Sequence, residues 1–519
     1  MPPFIQSLLR PEAYDHPVGR LEMLQTHISW VILAGDFAYK IKKPVDFGFV
    51  NFVTLESRRE LCHEEVRLNR RLAADLYLGV KPVYGPPERA SFIGSGEPID
   101  YAVQMRRFPQ DDLLPAALER GELTGAHWDE CADTLAAFHE HAAVATEDVP
   151  YGSADAVWRP VAENFKILES VPAVAARLSA LKQWATAEFE RLQDLFQQRK
   201  QAGKVRECHG DLHLGNMLLA VDRIEAFDCL EFNPSLRWTD VICEMAFLAM
   251  DLVARGQPGF AFRVLNRWLE QSGDYRGLAT WRWYFCYRAM VRAKVAALRS
   301  AQPERTSTDA AADNEEFERY LTLAEGVIKC PPRALILTHG VSGSGKSHVT
   351  TALCEHLGAI RLRSDVERKR LFGAWGASKT PVLAGDMYGS NVTEKVYREV
   401  LAKQAMAVIE AGFSVILDAT FLSHKGRRLF QQLSRQLEVP FVILEFEIAP
   451  EVARSRIMQR QQAGKDPSDA TLAILEQQLA SDEPLTDEER ERAVVVPPES
   501  RDFETLAERV REKMPAAWP

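Results

Sequence analysis

The feature that most constrains the fold is the glycine-rich octapeptide GVSGSGKS at residues 340–347. An apolar run, ALILTHG, leads into it, and a segment with helical periodicity follows it. Glycines allow successive backbone N–H groups to point into one concavity, and a helix that begins there adds its own N-terminal N–H groups. The sequence therefore predicts a strand, a phosphate-binding loop and a helix in direct succession.

The residues of this octapeptide divide the predicted task between main chain and side chains. Lys346 can reach the terminal phosphates of a nucleotide, and the Ser347 hydroxyl is a candidate ligand of Mg²⁺. The other positions predicted to contact the nucleotide are Gly340, Ser342, Gly343, Ser344 and Gly345. A chance glycine-rich turn is the alternative, but the strand before it and the helix after it argue against a chance turn.

Three further apolar runs follow, at residues 414–420, 441–448 and 493–497, and helical patterns separate them. Alternation of strands with helices is typical of a parallel sheet that has helices on both faces. We expect the part of the chain after residue 330 to adopt this α/β fold.

Charged residues near the predicted sheet are candidates for catalysis. Asp418 ends one strand and can bind Mg²⁺, although a strand-end turn would also favour aspartate. Asp365 is a candidate base for an acceptor hydroxyl, and Arg368, one helical turn later, can bind an anionic group. Arg456 and Arg460 share a helix face and can offset the charge of the transferred phosphoryl group. For the three arginines, an ordinary solvated helix face remains the alternative.

Together these features resemble a known family. The octapeptide, the S-D-x-x-R pattern at 364–368, the LDAT segment and the arginine-rich stretch at 451–470 are similar to the small P-loop kinases of the predicted AAA-type family, which are related to zeta toxins and 5′-polynucleotide kinases. The resemblance covers residues 333–519. It implies a kinase rather than a motor ATPase, and it leaves the acceptor hydroxyl undefined.

An independent motif, HGDLHLGN, occupies residues 209–216, and Asp228 follows in IEAFDCLEF. Asp211 is a candidate to accept a hydrogen bond from an acceptor hydroxyl and so to orient it. Asn216 and Asp228 offer amide and carboxylate oxygens, which suit Mg²⁺. Zinc bound by the two histidines is the alternative, but no third and fourth ligand with suitable spacing accompany them.

This block resembles the aminoglycoside phosphotransferase family, whose fold is protein-kinase-like. The resemblance implies a strand lysine that contacts the ATP phosphates and an acidic partner on a helix. Lys40 in AYKIKK is the best match, and Lys42, on the same strand face, remains the alternative. Glu65 fits the apolar spacing of its helix better than Glu64 does.

The same resemblance assigns roles to further segments. Asp240 would brace the catalytic loop without reacting, and the segment 101–108 would meet the adenine base. The chain departs from the family pattern in one respect, because no G-x-G-x-x-G sequence precedes Lys40. The segment QTHIS, at 25–29, stands in its place, so its backbone would have to cover the phosphates without glycine.

The two motifs predict two domains. A phosphotransferase-like α+β domain is expected at 1–330, with a small strand-rich lobe at about 1–107 and a helical lobe at about 108–330. Pro331-Pro332 marks the boundary, and the α/β P-loop kinase domain is expected at 331–519. The chain is identified as a member of the families described as bifunctional aminoglycoside phosphotransferase and ATP-binding proteins.

Composition limits the expected partners and location. The chain has 519 residues and a net charge of −10, and the 25 basic and 26 acidic residues after position 330 nearly balance. This balance weighs against binding to long nucleic acid. Because no apolar run approaches the ~20 residues of a membrane helix and the N-terminus lacks a signal pattern, a cytoplasmic protein with no membrane partner is expected.

The favoured hypothesis is an enzyme with two kinase sites, each of which transfers phosphate from ATP or GTP, with Mg²⁺, to a small-molecule hydroxyl. One alternative is that the P-loop part phosphorylates a nucleic-acid 5′-hydroxyl end, which the cations of 361–370 would suit. Another is that the first domain senses nucleotide and regulates the second. The sequence leaves the acceptors and the oligomeric state open.

Overall fold

The computed structural model of the protein describes residues 1–46, 51–169, 174–302, 306–375, 389–463, 471–498 and 500–514. Its strands are β1 (Leu21–Gln25), β2 (Ser29–Ala34), β3 (Phe37–Lys42), β4 (Tyr77–Val83), β5 (Asp100–Arg106), β6 (Val205–Glu207), β7 (Met217–Ala220), β8 (Arg223–Ala226), β9 (Trp238–Asp240), β10 (Leu335–His339), β11 (Ala359–Arg363), β12 (Ser414–Asp418), β13 (Phe441–Phe446) and β14 (Ala493–Val496).

The α-helices are α1 (Pro3–Leu8), α2 (Leu55–Asn69), α3 (Leu114–Glu119), α4 (Gly125–His141), α5 (Ala154–Leu168), α6 (Ala175–Gln201), α7 (Pro234–Arg237), α8 (Val241–Ala254), α9 (Pro258–Ser272), α10 (Trp281–Ser300), α11 (Ser307–Gly326), α12 (Lys346–Leu357), α13 (Ser364–Leu371), α14 (Ser390–Lys395), α15 (Ala402–Glu410), α16 (His424–Gln436), α17 (Pro450–Ala463), α18 (Leu472–Ser481), α19 (Asp487–Glu491) and α20 (Phe503–Glu512). A π-helical segment, Val396–Leu401, joins α14 to α15. Among the described helices, none has both the length and the hydropathy needed to cross a bilayer.

The chain divides into two compact units. The first unit comprises Met1–Cys131, His141–Arg159 and Phe196–Leu248, and the second unit comprises Ala132–Glu140, Pro160–Leu195 and Ala249–Pro519. The segment 249–330 therefore belongs to the same compact unit as the P-loop, although the sequence assigns it to the first domain. The domain boundary near residue 330 stays a prediction.

A five-stranded antiparallel sheet of order β1-β2-β3-β5-β4 lies in the first unit. Alternate residues of β3 point to opposite faces, so Tyr39 and Ile41 pack in one apolar cluster and Ala38 packs in another with Cys62 of α2. Lys40 and Lys42 share the face of Ala38 and are therefore directed toward α2.

Strands of two short antiparallel pairs, β6 with β9 and β7 with β8, flank the HGDLHLGN segment in the chain. β6 ends at Glu207, just before the segment, and β7 begins at Met217, just after it. The β7–β8 hairpin then returns the chain to Asp228. Main-chain pairing thus anchors the segment at both ends.

The sheet of the second unit has five parallel strands in the order β11-β12-β10-β13-β14. Ile336, Ile416 and Val442 lie in its core, and helix α12 packs there through Val349 and Leu353. Strands buried on both faces read as continuous apolar runs, which is why the sequence reveals them. The parallel α/β sheet predicted for this part is confirmed.

Strand β11, at one edge of this sheet, is absent from the strands that the sequence predicts. Its sequence, AIRLR, alternates apolar side chains with Arg361 and Arg363, so it lacks the continuous apolar run of the other four strands. Both arginines lie beside the candidate site of this unit.

Arg427 of α16 is a buried cation in the second unit. Its side chain has no solvent exposure, and its Nε donates to Glu489 Oε1 at 2.8 Å. Nη1 donates to the carbonyl oxygens of Phe421 and Leu422 at 2.9 and 3.1 Å. The guanidinium therefore connects α16 to the preceding segment and to α19.

We expect Arg427→Met to destabilise the protein by about 3 kcal/mol, because it leaves the Glu489 carboxylate without its cation. Urea unfolding followed by circular dichroism measures the change. Arg435→Met is the matched control on the same helix: Arg435 lies 3.3 Å from Glu488 in a pair whose side chains are more than half exposed. The control should cost less than about 1 kcal/mol, and equal effects of the two substitutions would contradict the prediction.

Candidate active sites

The first candidate site begins with an ion pair between β3 and α2. Lys40 Nζ lies 2.9 Å from Glu65 Oε1 and donates to Asp228 Oδ1 at 2.5 Å. Lys42 Nζ donates to the other Glu65 oxygen at 2.6 Å and also pairs with Glu231. The side chain of Lys40 is 14% exposed and that of Lys42 is 1% exposed. Lys40 therefore links the helix carboxylate to Asp228, whereas Lys42 is buried between two other carboxylates.

Burial and charge act in opposite directions on these groups. Burial lowers the pKa of Lys40, but attraction by Asp228 and Glu65 outweighs burial, so that pKa is raised overall. Burial raises the pKa of Glu65, but the two lysines outweigh this effect and hold it below its ordinary value. Lysine and carboxylate are therefore both charged at neutral pH.

Asp228 adopts a left-handed main-chain conformation, with a φ of 61°. Its N–H donates to the Tyr77 hydroxyl at 3.1 Å, and the next N–H, that of Cys229, donates to Asn69 Oδ1 at 2.8 Å. These bonds to β4 and α2 fix the turn that carries the carboxylate. Main-chain strain of this kind is common at functional sites.

The predicted base and the predicted amide ligand of the first unit meet directly. Asn216 Nδ2 donates to Asp211 Oδ2 at 2.9 Å and to the Asp211 carbonyl oxygen at 3.0 Å. His213 Nε2 lies 3.5 Å from the same carboxylate oxygen. The side chain of Asp211 is 31% exposed, so a hydroxyl can reach it. The structure thus brings together the two residues that the motif spacing selects.

Glu244, a residue that the sequence analysis missed, holds the start of this loop. Its Oε1 accepts from the N–H of His209 at 3.0 Å, and its Oε2 accepts from the N–H of Gly210 at 2.7 Å. The bracing role was expected of Asp240, which instead accepts from Arg199 Nε at 2.6 Å. A lone acidic residue within the apolar sequence VICEMAFLAM is the signal that could have identified Glu244. In the structure this side chain is wholly buried.

The ring of His209 is already engaged on both sides. Its Nε2 bonds the Phe227 carbonyl oxygen at 2.9 Å, and its Nδ1 accepts from the N–H of Asp211 at 3.3 Å. Nδ1 of His213 accepts from the N–H of Gly215 at 3.1 Å. These bonds organise the loop, and the contacts of His209 argue against the zinc alternative.

The turn between β1 and β2 lies where the resemblance places a phosphate-covering loop. The N–H of Thr26 donates to the Ser29 carbonyl oxygen at 2.9 Å, and the N–H of Ser29 donates to Thr26 Oγ1 at 3.0 Å. A side-chain hydroxyl therefore closes this turn in place of glycines.

The second candidate site is a cavity of about 310 Å³ at the carboxyl ends of the parallel strands in the second unit. The predicted residues that line it are Ser342, Gly343, Gly345, Lys346, Ser347, Asp365, Arg368 and Asp418. Gly340 and Ser344 act one layer behind the lining. Lys346 Nζ donates to the Gly340 carbonyl oxygen at 2.9 Å and lies 3.3 Å from Ser344 Oγ.

The phosphate-binding loop in front of α12, residues 340–345, is called the cradle below. It requires glycine at three positions. Gly343 and Gly345 have φ values of 83° and 95°, which disfavour other residues. A Cβ on Gly340 would lie 2.7 Å from the Phe446 carbonyl oxygen, and one on Gly343 would lie 2.9 Å from that of Ala453. Such a concavity, open to the N-terminus of α12, fits a nucleotide phosphate.

Ser347 and Asp418 both line the cavity, and Arg363 lies beside each of them. Arg363 Nη2 lies 3.5 Å from Ser347 Oγ, and Arg363 Nε lies 3.7 Å from Asp418 Oδ2. Thr350 Oγ1 lies 3.3 Å from the same Asp418 oxygen. A hydroxyl and a carboxylate are hard oxygen donors, and this pair fits Mg²⁺.

The predicted catalytic residues of the second unit have different surroundings. Asp365 lies in the first turn of α13, and Arg368 of the same helix is buried and donates to Thr393 Oγ1 at 3.3 Å. A solvated helix face, the alternative for Arg368, is therefore wrong. Arg456 Nη1 donates to the Gly343 carbonyl oxygen at 3.3 Å, behind the cradle. Arg460 belongs to α17, but its side chain lies outside the described residues.

Comparisons with known proteins find two family segments in the chain. A family model described as "Phosphotransferase enzyme family" matches residues 49–284, and one described as "AAA domain" matches residues 335–485. An uncharacterized protein of Mycobacterium tuberculosis is 32% identical over 466 residues, which cover 88% of this chain and 90% of that protein. A protein of Mycobacterium bovis matches equally well. The chain belongs to the family of these proteins.

Solved structures each match a part of the chain. A choline/ethanolamine kinase family protein of Mesorhizobium loti is 12% identical and covers 62% of this chain and 99% of its own, with a TM-score of 0.37. A sugar kinase of a Janibacter species is 21% identical and covers 35% of this chain and 94% of its own, with a TM-score of 0.26. The predicted two-domain class is confirmed, and both domains are of kinase type. Likenesses at this level say nothing of the acceptor that this chain uses.

The lowered pKa of Glu65 predicts a pH-dependent stabilisation. A carboxylate whose folded pKa lies below its unfolded pKa stabilises the protein fully above the unfolded value, and this contribution is lost as the pH falls toward the folded value. We expect the unfolding temperature to fall more steeply from about pH 5 to about pH 3 in the wild type than in Glu65→Gln. Thermal unfolding followed by circular dichroism measures both slopes, and parallel slopes would contradict the prediction.

The contacts of Glu244 predict a local effect of its removal. Glu244→Gln replaces one acceptor by an NH₂ donor, which cannot accept from a main-chain N–H, so the loop should open more often. We expect amide hydrogen exchange in residues 209–216 to accelerate about tenfold or more. Asp75→Asn is the control, because this side chain is 83% exposed. Unchanged exchange in Glu244→Gln would show that the loop does not depend on this carboxylate.

Proposed function

We propose that the protein is an ATP-dependent phosphotransferase with two active sites, one in each unit, and that each site moves the γ-phosphate of a nucleotide to a hydroxyl of a small-molecule acceptor. The observation that carries the proposal is that each unit places a largely buried lysine beside hard oxygen donors. Lys40 pairs with Asp228, whose neighbour Phe227 bonds the main chain of Asn216, and Lys346 lines one cavity with Ser347 and Asp418. The two sites are built on unrelated sheets, so neither is a copy of the other.

In the first unit, Lys40 is the proposed contact of the nucleotide phosphates, and Asn216 and Asp228 are the proposed Mg²⁺ ligands. Bound Mg²⁺ would neutralise charge on the phosphate oxygens. Asp211 would accept the hydrogen bond of the acceptor hydroxyl and hold its proton, because Asn216 Nδ2 fixes the carboxylate orientation. Glu65 keeps the lysine in place.

In the second unit, Lys346 and the cradle main chain are the proposed phosphate ligands, and Ser347 and Asp418 are the proposed Mg²⁺ ligands. Asp365 lines the same cavity and is the proposed base, while the buried Arg368 offers a cation to an anionic acceptor or to the phosphoryl group. A polar cavity of about 310 Å³ suits a small hydroxyl compound.

A nucleic-acid 5′-hydroxyl end is the second candidate acceptor for this site, because five cations lie within residues 361–370 of β11 and α13. Their contacts weigh against it. Arg361 and Arg363 are 10% exposed and pair with Glu270, and Arg370 donates to the Glu270 and Gln271 carbonyl oxygens at 2.6 and 3.1 Å. Cations that are committed to contacts inside the unit contribute little to an outward basic surface.

The test uses the full-length protein with labelled ATP, Mg²⁺ and a mixture of small metabolites, with products separated by mass spectrometry. We expect Asp211→Asn and Lys346→Ala each to remove a different set of phosphorylated products, with losses of about 100-fold or more. Asp222→Asn, in the exposed β7–β8 turn, is the control. If neither variant changes any product, the proposal is wrong.

Calorimetry with a non-hydrolysable ATP analogue separates the proposal from the sensor alternative. Two nucleotides should bind per chain in the wild type and one in Lys346→Ala. If the first unit binds nucleotide but Asp211→Asn changes no product, that unit is a sensor. Product appearing only on oligonucleotide 5′ ends would favour the nucleic-acid alternative.

A further inference from the structure

Glu270 of α9 is a buried carboxylate that reaches the phosphate-binding site of the second unit. It is 3% exposed, its Oε1 accepts from Arg363 Nη1 at 2.8 Å, and its Oε2 accepts from Arg361 Nη2 at 3.0 Å. Helix α9 lies within the phosphotransferase match at 49–284, whereas both arginines lie within the AAA match at 335–485. A residue of one family segment therefore pairs with residues of the other inside a single compact unit.

The two arginines continue the contact into the candidate site. Arg361 Nη1 donates to the Ser347 carbonyl oxygen at 3.0 Å and to Thr351 Oγ1 at 2.6 Å, so it grips the first turns of α12. Arg363 lies 3.5 Å from Ser347 Oγ and 3.7 Å from Asp418 Oδ2. The forked carboxylate thus orients two guanidinium groups that touch the proposed metal ligands and the helix that carries one of them.

The position of Glu270 is fixed by a second contact one turn earlier. Asn266 Nδ2 donates to the Ala359 carbonyl oxygen at 2.9 Å, and Asn266 Oδ1 accepts from the Arg361 N–H at 2.7 Å. This amide supplies to the edge strand β11 the two bonds that a neighbouring strand would supply. These two bonds fix the position of helix α9 along the strand that carries both arginines.

Arg363 lies between two carboxylates, Glu270 at 2.8 Å and Asp418 at 3.7 Å. Burial raises the pKa of Glu270, but Arg363, Arg361 and Arg267 outweigh it and lower that pKa to about 2, so the side chain is an anion at neutral pH. A guanidinium that lost Glu270 would move onto Asp418, because a buried cation needs a partner. It would then compete with a divalent cation for that carboxylate.

We propose that Glu270 is a positioning residue of the second site, which holds Arg363 off Asp418 and so leaves this carboxylate available to a divalent cation. The inference rests on the proposed function of that site. It also means that the P-loop site depends on a side chain from the segment that precedes it in the chain.

The experiment measures binding of a fluorescent ATP analogue to the full-length protein as Mg²⁺ is titrated. All variants carry Lys40→Ala, which weakens binding at the first site, so that the signal reports the second. We expect Glu270→Gln to raise the Mg²⁺ concentration at half-saturation about tenfold or more. Nucleotide affinity in the presence of EDTA should change less than about threefold, because the cradle main chain is untouched.

A double variant and a matched control make the result specific. Glu270→Gln with Arg363→Gln should return the Mg²⁺ requirement to within about threefold of the parent, since no guanidinium remains to occupy Asp418. Glu355→Gln is the control: Glu355 of α12 accepts from Arg263 of α9 at 2.7 Å, another ion pair between α9 and the P-loop helix. We expect it to leave the Mg²⁺ requirement unchanged. If Glu270→Gln folds poorly, Arg363→Gln alone should leave the requirement equal or lower.

The outcomes separate the inference from the function on which it rests. An unchanged Mg²⁺ requirement in Glu270→Gln, equal losses with and without Mg²⁺, or no recovery in the double variant would overturn the positioning role. A raised requirement in Arg363→Gln alone would overturn it as well. If the Lys40→Ala parent keeps the circular dichroism spectrum of the wild type but binds no nucleotide with Mg²⁺, the proposed function of the second unit fails, and the inference fails with it. If that parent is unfolded, Asn216→Ala replaces Lys40→Ala in every variant, because it removes a proposed Mg²⁺ ligand of the first site and leaves Glu65 paired.

Discussion

Glu65, wholly buried beside Lys40 and Lys42, can remain an anion only because both cations contact it. A buried carboxylate that loses its partner is among the costliest defects in a protein interior, so the contact strongly constrains how β3 lies against α2. The same lysine that satisfies this carboxylate also reaches Asp228. The requirement to pair buried charge therefore shapes the first site before any nucleotide is considered.

In the second unit, buried charge is paired through arginine instead of lysine. The rigid guanidinium fork suits contacts to two partners at once, and Arg361 and Arg363 each contact both Glu270 and the phosphate-binding segment. Lysine could not hold this geometry, because it is a point charge on a flexible chain. The cradle itself needs no charge to keep its shape, since its glycine conformations and the contacts behind them determine it.

The parts of both sites that depend on local patterns could be predicted from the sequence. The octapeptide and the HGDLHLGN motif each identify a loop from a short run of residues. The structure brings Asp211 to Asn216, as their five-residue spacing in the motif predicts. Lys40 and Lys42 could not be separated from sequence, because both side chains point to the same face of β3 and both meet Glu65. Their other partners distinguish them: Lys40 pairs with Asp228, whereas Lys42 pairs with Glu231.

Other parts of the sites were missed for three different reasons. Glu270 meets arginines 91 and 93 positions away, and no local pattern reports such a pair. Glu244 was hidden within an apolar helix, where the choice of Asp240 followed a resemblance rather than a contact. Strand β11 was missed because arginines interrupt its apolar pattern, and these are the arginines that the site uses.

The cover that Asn266 provides for β11 has a consequence for any shortened form of the protein. An uncovered edge strand offers free N–H and C=O groups to any other chain, so a protein made only of the P-loop segment would carry a surface prone to association. A shortened chain that keeps helix α9 together with the P-loop segment would keep these two bonds to the strand.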